Sequence, residues 1–227
     1  ANYAVVMAKL ISNGENHGVQ PFIVQLRDLD THKSLPGISV GDIGNRVGFD
    51  TVNNGYLFFD NVRLPLNSML MRNAKINEDG TFEKLMNPLM NYGVMLYTRV
   101  SIILDASLVL TKAATIGIRY SLVRRQSPIE AEKREPQIMD HVTQQYKIIP
   151  ALVKGIVFKI IANKLLNLRI SVTEELRREN YNKLPELHAL SCCLKAVCTN
   201  EAVKSIETLR TSCGGHGYLE SAGFYTL

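Results

Sequence analysis

Three glycines surround a histidine near the end of the sequence, in the stretch TSCGGHGYLE at residues 211–220. Gly214, Gly215 and Gly217 follow a long segment whose apolar residues recur at helical spacing. One glycine in the left-handed conformation is enough to end a helix. Additional glycines would let the backbone approach a phosphate closely, with its N–H groups free to donate. The pattern is therefore compatible with a helix end and with a phosphate contact.

Two arginines associated with another apolar segment could bind anionic groups. At 100° per residue, Arg99 falls on the same helical face as Leu96 and Ile103. A buried arginine needs an anionic or carbonyl partner, whereas an arginine at the edge of the stripe can reach solvent. Arg124 lies 25 positions further along the chain, which is about 37 Å on a straight helix. The two arginines therefore cannot hold the same small group.

The commoner catalytic and metal-binding patterns are absent from the sequence. There is no Ser-His-Asp order, P-loop or H-E-x-x-H helix, and His216 has no partners spaced as metal ligands. Glu186 and His188 lie two positions apart and do not share a helical face, which favours surface roles for both. The cysteines form no C-x-x-C pair, and we expect buried thiols in a reducing compartment. They are Cys192, Cys193, Cys198 and Cys213.

The composition is that of a globular protein, with 46% apolar residues among 227. No apolar run approaches the roughly 18 residues of a membrane span, and the start lacks the pattern of a signal peptide. Because the first residue is Ala1, we expect a processed product or an excerpt. The net charge of +5 is dispersed except for a cluster that indicates a solvated surface or an anionic ligand. Nucleic acid is disfavoured, because no basic stripe alternates with aromatic residues. The cluster contains Arg124, Arg125, Lys133 and Arg134.

The chain changes character near residue 80. Before that point, short apolar runs alternate with turn residues; Asn13-Gly14 follows the first run, and Asn54-Gly55 favours a tight hairpin. After residue 84, apolar residues recur at three- and four-residue spacing over long segments. The order predicts an antiparallel sheet followed by three long helices, which is an α+β fold with segregated halves.

The predicted helices cover residues 89–124, about 138–172, and the segment from Pro185 to the glycines. Pro150 should kink the second helix, because proline lacks the backbone N–H and clashes with the preceding turn. The residues predicted to face the core are Leu89, Tyr92, Leu96, Val100, Ile103, Leu110 and Ala114 in the first helix, Tyr146, Ile149, Val153, Ile156 and Ile160 in the second, and Leu187, Leu190, Leu194, Val197, Ala202, Ile206 and Leu209 in the third.

Several motifs occur in an order that resembles one enzyme family. They are DNVRLPLNSML, the Tyr97-Thr98-Arg99 triplet, VRRQSP, EPQIMDHVTQQYKIIPAL, LPELHALSCCLKA and TSCGGHGY. The chain closely resembles the acyl-CoA oxidases of peroxisomal fatty-acid β-oxidation and, more distantly, the acyl-CoA dehydrogenases. The stretches THKSLPGISVGDIG and ELHALSCCLKA favour the oxidases.

The resemblance implies a FAD enzyme that converts acyl-CoA to trans-2-enoyl-CoA and passes electrons to O₂, giving H₂O₂. It implies that residues 1–81 are part of a central β-domain and that residues 82–227 are the first C-terminal helical domain. Tyr97, Thr98 and Arg99 then lie beside the thioester and pantetheine end of the substrate. The predicted FAD contacts, made across a homodimer interface, are Arg124, Arg125, Gln126, Thr211, Gly214 and Gly215.

The sequence departs from the family pattern in two respects. The catalytic glutamate of the family lies in an F-E-G motif after the glycines, and we expect it beyond Leu227, so that this chain alone would be inactive. A glutamine often found in the second helix is replaced by Val142. The alternatives are an acyl-CoA dehydrogenase and a catalytically silent acyl-CoA-binding or dimerising scaffold. Peroxisomal location follows from the resemblance only, because the final YTL is not a peroxisomal address.

Overall fold

The computed structural model describes residues 1–48, 51–85, 93–128, 130 and 133–227. Its contacts divide the chain into two compact units, Ala1–Asn91 and Tyr92–Leu227. The first unit carries the strands, which form three antiparallel pairs, and the second carries the long helices. The predicted α+β fold with segregated halves is therefore confirmed. The strands are β1 (Tyr3–Ser12), β2 (Glu15–Gln25), β3 (Ile38–Asp42), β4 (Gly55–Phe59), β5 (Ala74–Ile76) and β6 (Phe82–Lys84), paired β1–β2, β3–β4 and β5–β6.

The two Asn-Gly pairs take different roles. Asn13 and Gly14 form the two-residue turn between β1 and β2, with φ of 51° and 80°. Positive φ at both positions is the requirement of a type I′ hairpin. The hairpin expected at Asn54-Gly55 is wrong: Gly55 begins β4 and pairs with Asp42 at the end of β3. A Cβ at Gly55 would collide with the Gly41 carbonyl oxygen, so close strand pairing explains this glycine.

The strand-bearing unit has two small apolar clusters. One contains Val24, Leu26 and Ile38, and the other contains Met69, Ala74 and Ile76. Because β6 pairs with β5, this unit includes Phe82–Lys84. The domain boundary expected between residues 81 and 82 stays a prediction. The identity of the two units as the domains implied by the resemblance stays a prediction.

Three long helices build the second unit, and its core residues come from all three. They are α1 (Gly93–Val123), α2 (Val142–Arg177) and α3 (Leu184–Ser212). Short 3-10 turns precede α2 at Ile138–Asp140 and follow α3 at Gly214–Tyr218 and Glu220–Ala222. Helix α2 continues through Pro150, whose kinking effect stays a prediction.

Helix α1 supplies much of the core. The predicted inward residues Leu96, Val100, Ile103, Leu110 and Ala114 are all buried, whereas Leu89 and Tyr92 lie outside the described residues. Within Met95–Val123, a window of 18 residues has a mean hydropathy of 1.6, so this part of α1 is long and apolar enough to cross a membrane. A core helix of a bundle has the same composition, and α1 contributes to the core in this structure.

The predicted core face of α2 is wrong. Tyr146, Ile149, Val153, Ile156 and Ile160 are exposed, with Tyr146 81% accessible. The face that α2 buries instead comprises Gln144, Ile148, Ala151, Gly155, Phe158, Ala162, Leu165 and Val172. Helix α2 therefore has two apolar faces, and periodicity alone does not select between them.

Small residues explain which face of α2 packs. At Gly155, an added Cβ would lie 2.9 Å from the Thr111 side-chain oxygen of α1. The Ser107 hydroxyl donates to the Gly155 carbonyl oxygen at 2.9 Å, and both residues are buried. The backbones of α1 and α2 approach closely only where side chains are this small. A stripe of larger residues could not make this contact.

Two smaller expectations for α3 also need correction. Leu190 and Val197 are exposed rather than inward, whereas Leu187, Ala202 and Leu209 are buried as predicted. Among the cysteines, Cys198 and Cys213 are buried, Cys192 is half-buried and Cys193 is exposed. The expectation of four buried thiols is therefore wrong for Cys192 and Cys193.

The close approach at Gly155 generates a stability prediction. Gly155→Val should destabilise the protein by about 1–3 kcal/mol, because overpacking forces the two helices apart. Lys164→Val, an exposed substitution on the same helix, is the control and should change the unfolding free energy by less than about 0.5 kcal/mol. Urea unfolding followed by circular dichroism measures both. Equal stability of the two variants would contradict the proposed α1–α2 contact.

Candidate functional site

A pocket of about 350 Å³ lies at one end of the helical unit. The end of α1, the start of α2 and the end of α3 converge around it. Helix termini leave backbone polar groups without partners in the helix, so polar backbone and side-chain groups collect here. The lining residues are Tyr120, Arg124, Gln126, Ser127, Ile138, His141, Thr143, Gln144, Ser212, Cys213 and Gly214.

The segment after α1 is held by backbone pairing with the segment before α2. The Ile138 N–H donates to the Arg124 carbonyl oxygen at 2.9 Å, and the Gln126 N–H donates to the Pro136 carbonyl oxygen at 3.2 Å. Between them, Arg125 forms an isolated antiparallel bridge with Gln137. This pairing fixes the exit of the chain from α1 and places Arg124 and Gln126 in the pocket wall.

The two adjacent arginines have different surroundings. The Arg125 guanidinium donates to the Glu135 carbonyl oxygen at 3.1 Å, within the loop. Arg124 is exposed in the pocket wall, and no acidic residue pairs with it in the part of the chain that the structure describes. A guanidinium offers five N–H donors in a planar fork that matches phosphate oxygens. Arg124 is therefore the residue best suited to an anionic ligand at this pocket.

The three glycines differ in what the fold requires of them. Gly214 follows the helix-capping residue Cys213 and has a φ of 61°, the left-handed conformation of a helix end. Gly217 packs on the end of α3, where a Cβ would collide with the Arg210 carbonyl oxygen. Gly215 has neither a positive φ nor any neighbouring atom that a Cβ would meet. The helix-end interpretation thus explains Gly214 and close packing explains Gly217, but neither explains Gly215.

A buried amide joins the three helices beneath the pocket. Gln144 of α2 donates through Nε2 to the Ser121 hydroxyl of α1 at 2.9 Å and to the Ser212 carbonyl oxygen of α3 at 3.0 Å. All three residues are buried. Val142, where the resemblance implied a glutamine, is 77% accessible. The buried hydrogen-bonding role in this part of α2 is therefore filled by Gln144.

Two histidines flank the pocket without forming a catalytic pair. His141 Nε2 donates to the Gln126 carbonyl oxygen at 3.1 Å. His216 Nδ1 lies 3.3 Å from the Tyr120 hydroxyl, and the two rings are tilted with centroids 5.3 Å apart. Burial raises the pKa of the Cys213 thiol, which keeps it protonated and unreactive. These groups shape the pocket wall and offer no activated nucleophile.

Thr211 is placed differently from the other predicted cofactor residues. Its hydroxyl donates to the Glu207 carbonyl oxygen at 2.9 Å within α3, and its side chain is exposed outside the pocket lining. The structure therefore brings Arg124, Gln126 and Gly214 to one pocket. Gly215 directly follows Gly214, while Arg125 and Thr211 bond to neighbouring backbone.

The start of α1 carries a second group of polar contacts. The Arg169 guanidinium of α2 lies over the Tyr97 ring, 5.0 Å from its centroid. Arg99 is half-buried, and its Nη1 lies 3.3 Å from Nδ1 of His188 on α3. Thr98 is exposed. The sequence left open a buried Arg99 with an anionic or carbonyl partner and an Arg99 at the edge of the stripe that reaches solvent; in the structure it is half-buried beside a ring nitrogen.

Several residues of these two regions were not singled out by the sequence. His188 was interpreted as a surface residue, since two-residue spacing from Glu186 revealed nothing about its partner on α1. Gln144, Tyr120 and His141 line the pocket only because three helix ends meet there. The one local signal was Gln144 itself, a polar residue on the helical face that contains Ile148 and Ala151.

Comparisons with known proteins match this architecture. Residues 92–227 match the family model described as acyl-CoA oxidase, C-alpha1 domain. Acyl-coenzyme A oxidase 1 of Drosophila melanogaster is 51% identical over 227 residues, which are 100% of this chain and 34% of that protein. Peroxisomal acyl-coenzyme A oxidase 1 of Rattus norvegicus is 44% identical over 223 residues, covering 98% of this chain and 34% of that protein.

A solved structure agrees in fold as well as in sequence. Acyl-CoA oxidase-2 of Caenorhabditis elegans, bound with FAD, ascaroside-CoA and ATP, superposes with a TM-score of 0.94 at 36% identity. The alignment covers 99% of this chain and 34% of that chain. The chain thus spans about a third of the length of these relatives. With the family model matching the whole helical unit, the chain belongs to the acyl-CoA oxidase family.

Proposed function

We propose that the complete protein is a FAD-dependent acyl-CoA oxidase and that this chain forms its central part. The observation that carries the proposal is the pocket at the end of the helical unit. Its wall contains Arg124, which has no acidic partner among the described residues. Gly215, which directly follows the lining residue Gly214, is a glycine that the fold does not require. Together with family membership, this arrangement supports a phosphate-bearing cofactor. Relatives named as peroxisomal support the same location for this protein.

The residues of the pocket fit the diphosphate of FAD. Arg124 supplies charge-assisted hydrogen bonds, and the Gly214-Gly215 backbone presents no side chain to a ligand. Gln144 holds the ends of α1 and α3 at fixed positions around the pocket. When bound, FAD supplies the hydride acceptor and returns the electrons to O₂. We propose that the cofactor contacted here belongs to the partner subunit of a homodimer.

Arg99 serves a different ligand in this proposal. Arg99 lies near the start of α1 and Arg124 immediately after its end, about 37 Å apart at 1.5 Å per residue. We propose that Arg99 contacts the thioester and pantetheine end of acyl-CoA, with Tyr97 and Thr98 beside it. The reaction removes a proton from Cα and a hydride from Cβ of the acyl group. The two electrons and the two hydrogens then end on O₂ as H₂O₂, and trans-2-enoyl-CoA remains.

The reaction class is tested on the complete protein. Purified with FAD and given a saturated acyl-CoA, it should form one H₂O₂ for each enoyl-CoA, which a peroxidase-coupled assay and absorbance of the enoyl product measure together. Enoyl-CoA formation only with an artificial electron acceptor would identify a dehydrogenase. Absence of both products would support a silent scaffold, and either of these results would refute the oxidase proposal.

Arg99→Leu tests the proposed substrate contact. Leucine suits the apolar face of α1, so folding should be preserved while kcat/KM for acyl-CoA falls by at least about tenfold. Arg119→Leu, an exposed arginine on the same helix, is the control and should leave kcat/KM unchanged. Wild-type turnover by Arg99→Leu would show that Arg99 is a structural residue.

Arg124→Ala and Gly215→Ala test the cofactor contact. Arg124→Ala should weaken FAD binding about 10- to 150-fold, because a hydrogen bond to a charged group contributes about 1.5–3 kcal/mol. Gly215→Ala has no cost within the chain, so a loss of FAD would report on the ligand alone. Flavin content after gel filtration is the measurement.

Matched controls exist for both variants. Gly48→Ala changes another exposed glycine without a positive φ or a crowded Cβ, and Arg119→Ala removes another exposed charge. Both controls should keep a full flavin complement. If Gly215→Ala keeps as much flavin as Gly48→Ala, the glycine stretch serves only to end α3 and to pack on it.

A further inference from the structure

The contact between Arg99 and His188 joins α1 to α3. Arg99 Nη1 lies 3.3 Å from His188 Nδ1. Arg99 follows Leu96 and precedes Val100 and Ile103, which are all buried, so its backbone is fixed by the core. Its long side chain has many rotamers unless a partner selects one. His188 is the partner that the structure provides from a different helix.

His188 is itself held in place. Leu187, immediately before it, is 1% accessible and anchors this turn of α3 in the core. The Ser191 hydroxyl, also fully buried, donates to the His188 carbonyl oxygen at 3.0 Å. The imidazole therefore projects toward Arg99 from a rigid position, although the ring itself is exposed.

The chemistry of the two groups defines the state of the imidazole. Arginine carries only donors, so Nδ1 of His188 must be the acceptor. In the neutral ring the proton then resides on Nε2, which faces Cys192 Sγ at 3.9 Å, one turn further along α3. Protonation would turn Nδ1 into a donor and place two cations side by side. The contact therefore exists only with neutral His188.

Among the residues that the structure describes, no carboxylate pairs with Arg99. Arg169, from α2, is engaged with the Tyr97 ring on the same turn of α1. Glu186, two residues before His188, does not share its helical face. A neutral acceptor differs from a carboxylate in one respect that matters here. It orients the guanidinium without neutralising its charge.

We propose that His188 is a positioning residue of the active site, which orients Arg99 toward the thioester end of acyl-CoA while leaving its positive charge available. This inference rests on the proposed function of Arg99. Misplacement of a group that positions substrate can cost large factors in rate without affecting the fold. The role of His188 is exerted through Arg99, so it should appear in substrate kinetics and in their pH dependence.

The test uses the complete enzyme with three substitutions at or near this site. His188→Leu removes the acceptor, whereas His188→Asn offers an amide oxygen near the position of Nδ1 and does not titrate. Glu186→Gln, an exposed change in the same turn, is the control. Peroxide formation is measured against acyl-CoA concentration between about pH 5.5 and 8.5, the range in which imidazole changes charge, together with flavin content and thermal unfolding.

We expect His188→Leu to lower kcat/KM about tenfold at neutral pH with flavin content and unfolding temperature unchanged. His188→Asn should stay within about threefold of wild type and lose less activity than wild type on acidification. Glu186→Gln should match wild type throughout.

Three results would overturn the inference. The first is wild-type kcat/KM in His188→Leu while Arg99→Leu is impaired, which would make the contact dispensable. The second is an equal loss in His188→Asn and His188→Leu, and the third is a loss of flavin or stability in His188→Leu, both of which indicate a structural role. If Arg99→Leu is also unimpaired, the proposed function of Arg99 fails as well, so the two failures are distinguishable.

Discussion

The close approach of α1 and α2 is the contact on which the helical unit depends. It requires a glycine at position 155, because a side chain there would crowd Thr111 of α1. It is also stabilised by the Ser107 hydroxyl, which donates to the Gly155 carbonyl oxygen. Helices α2 and α3 pack against different sides of α1. The end of α1, the start of α2 and the end of α3 therefore lie close together. The pocket around Arg124 forms where these ends meet, and the contact between Arg99 and His188 forms where α1 lies against α3.

The two ends of α1 present cationic groups in different electrostatic states. Arg124 is exposed in a pocket wall, so a bound anion would be its principal partner. Arg99 is half-buried and is contacted by an uncharged nitrogen base. In both cases the positive charge is not neutralised by a carboxylate among the described contacts. The half-buried Arg99 thereby differs from a structural arginine in a protein interior, which is normally paired, and its charge is available for the proposed ligand.

The sequence predicts the class of the fold well and the faces of the helices less well. Apolar periodicity locates all three helices, and the inward residues of α1 are correct wherever the structure describes them. It fails for α2 because this helix has two apolar faces, and the choice between them depends on the fit of Gly155 to Thr111, a contact across 44 positions that local patterns do not contain. Contacts between residues distant in sequence also limit what the sequence predicts about the candidate functional site. Arg124 and the glycines are recognisable from motif order, whereas the roles of Gln144 and His188 arise only when helices meet.

The different constraints on the three glycines have a consequence for how such sequences diverge. Gly214 and Gly217 are required by the backbone of the helical unit itself, so they should persist in any descendant that keeps the fold, whether or not it binds a cofactor. Gly215 is free of that requirement. A lineage that abandoned flavin chemistry could accept a larger residue there at no structural cost. Under the proposed cofactor contact, the residue at position 215 marks retained cofactor binding, whereas Gly214 and Gly217 report only that the fold is kept.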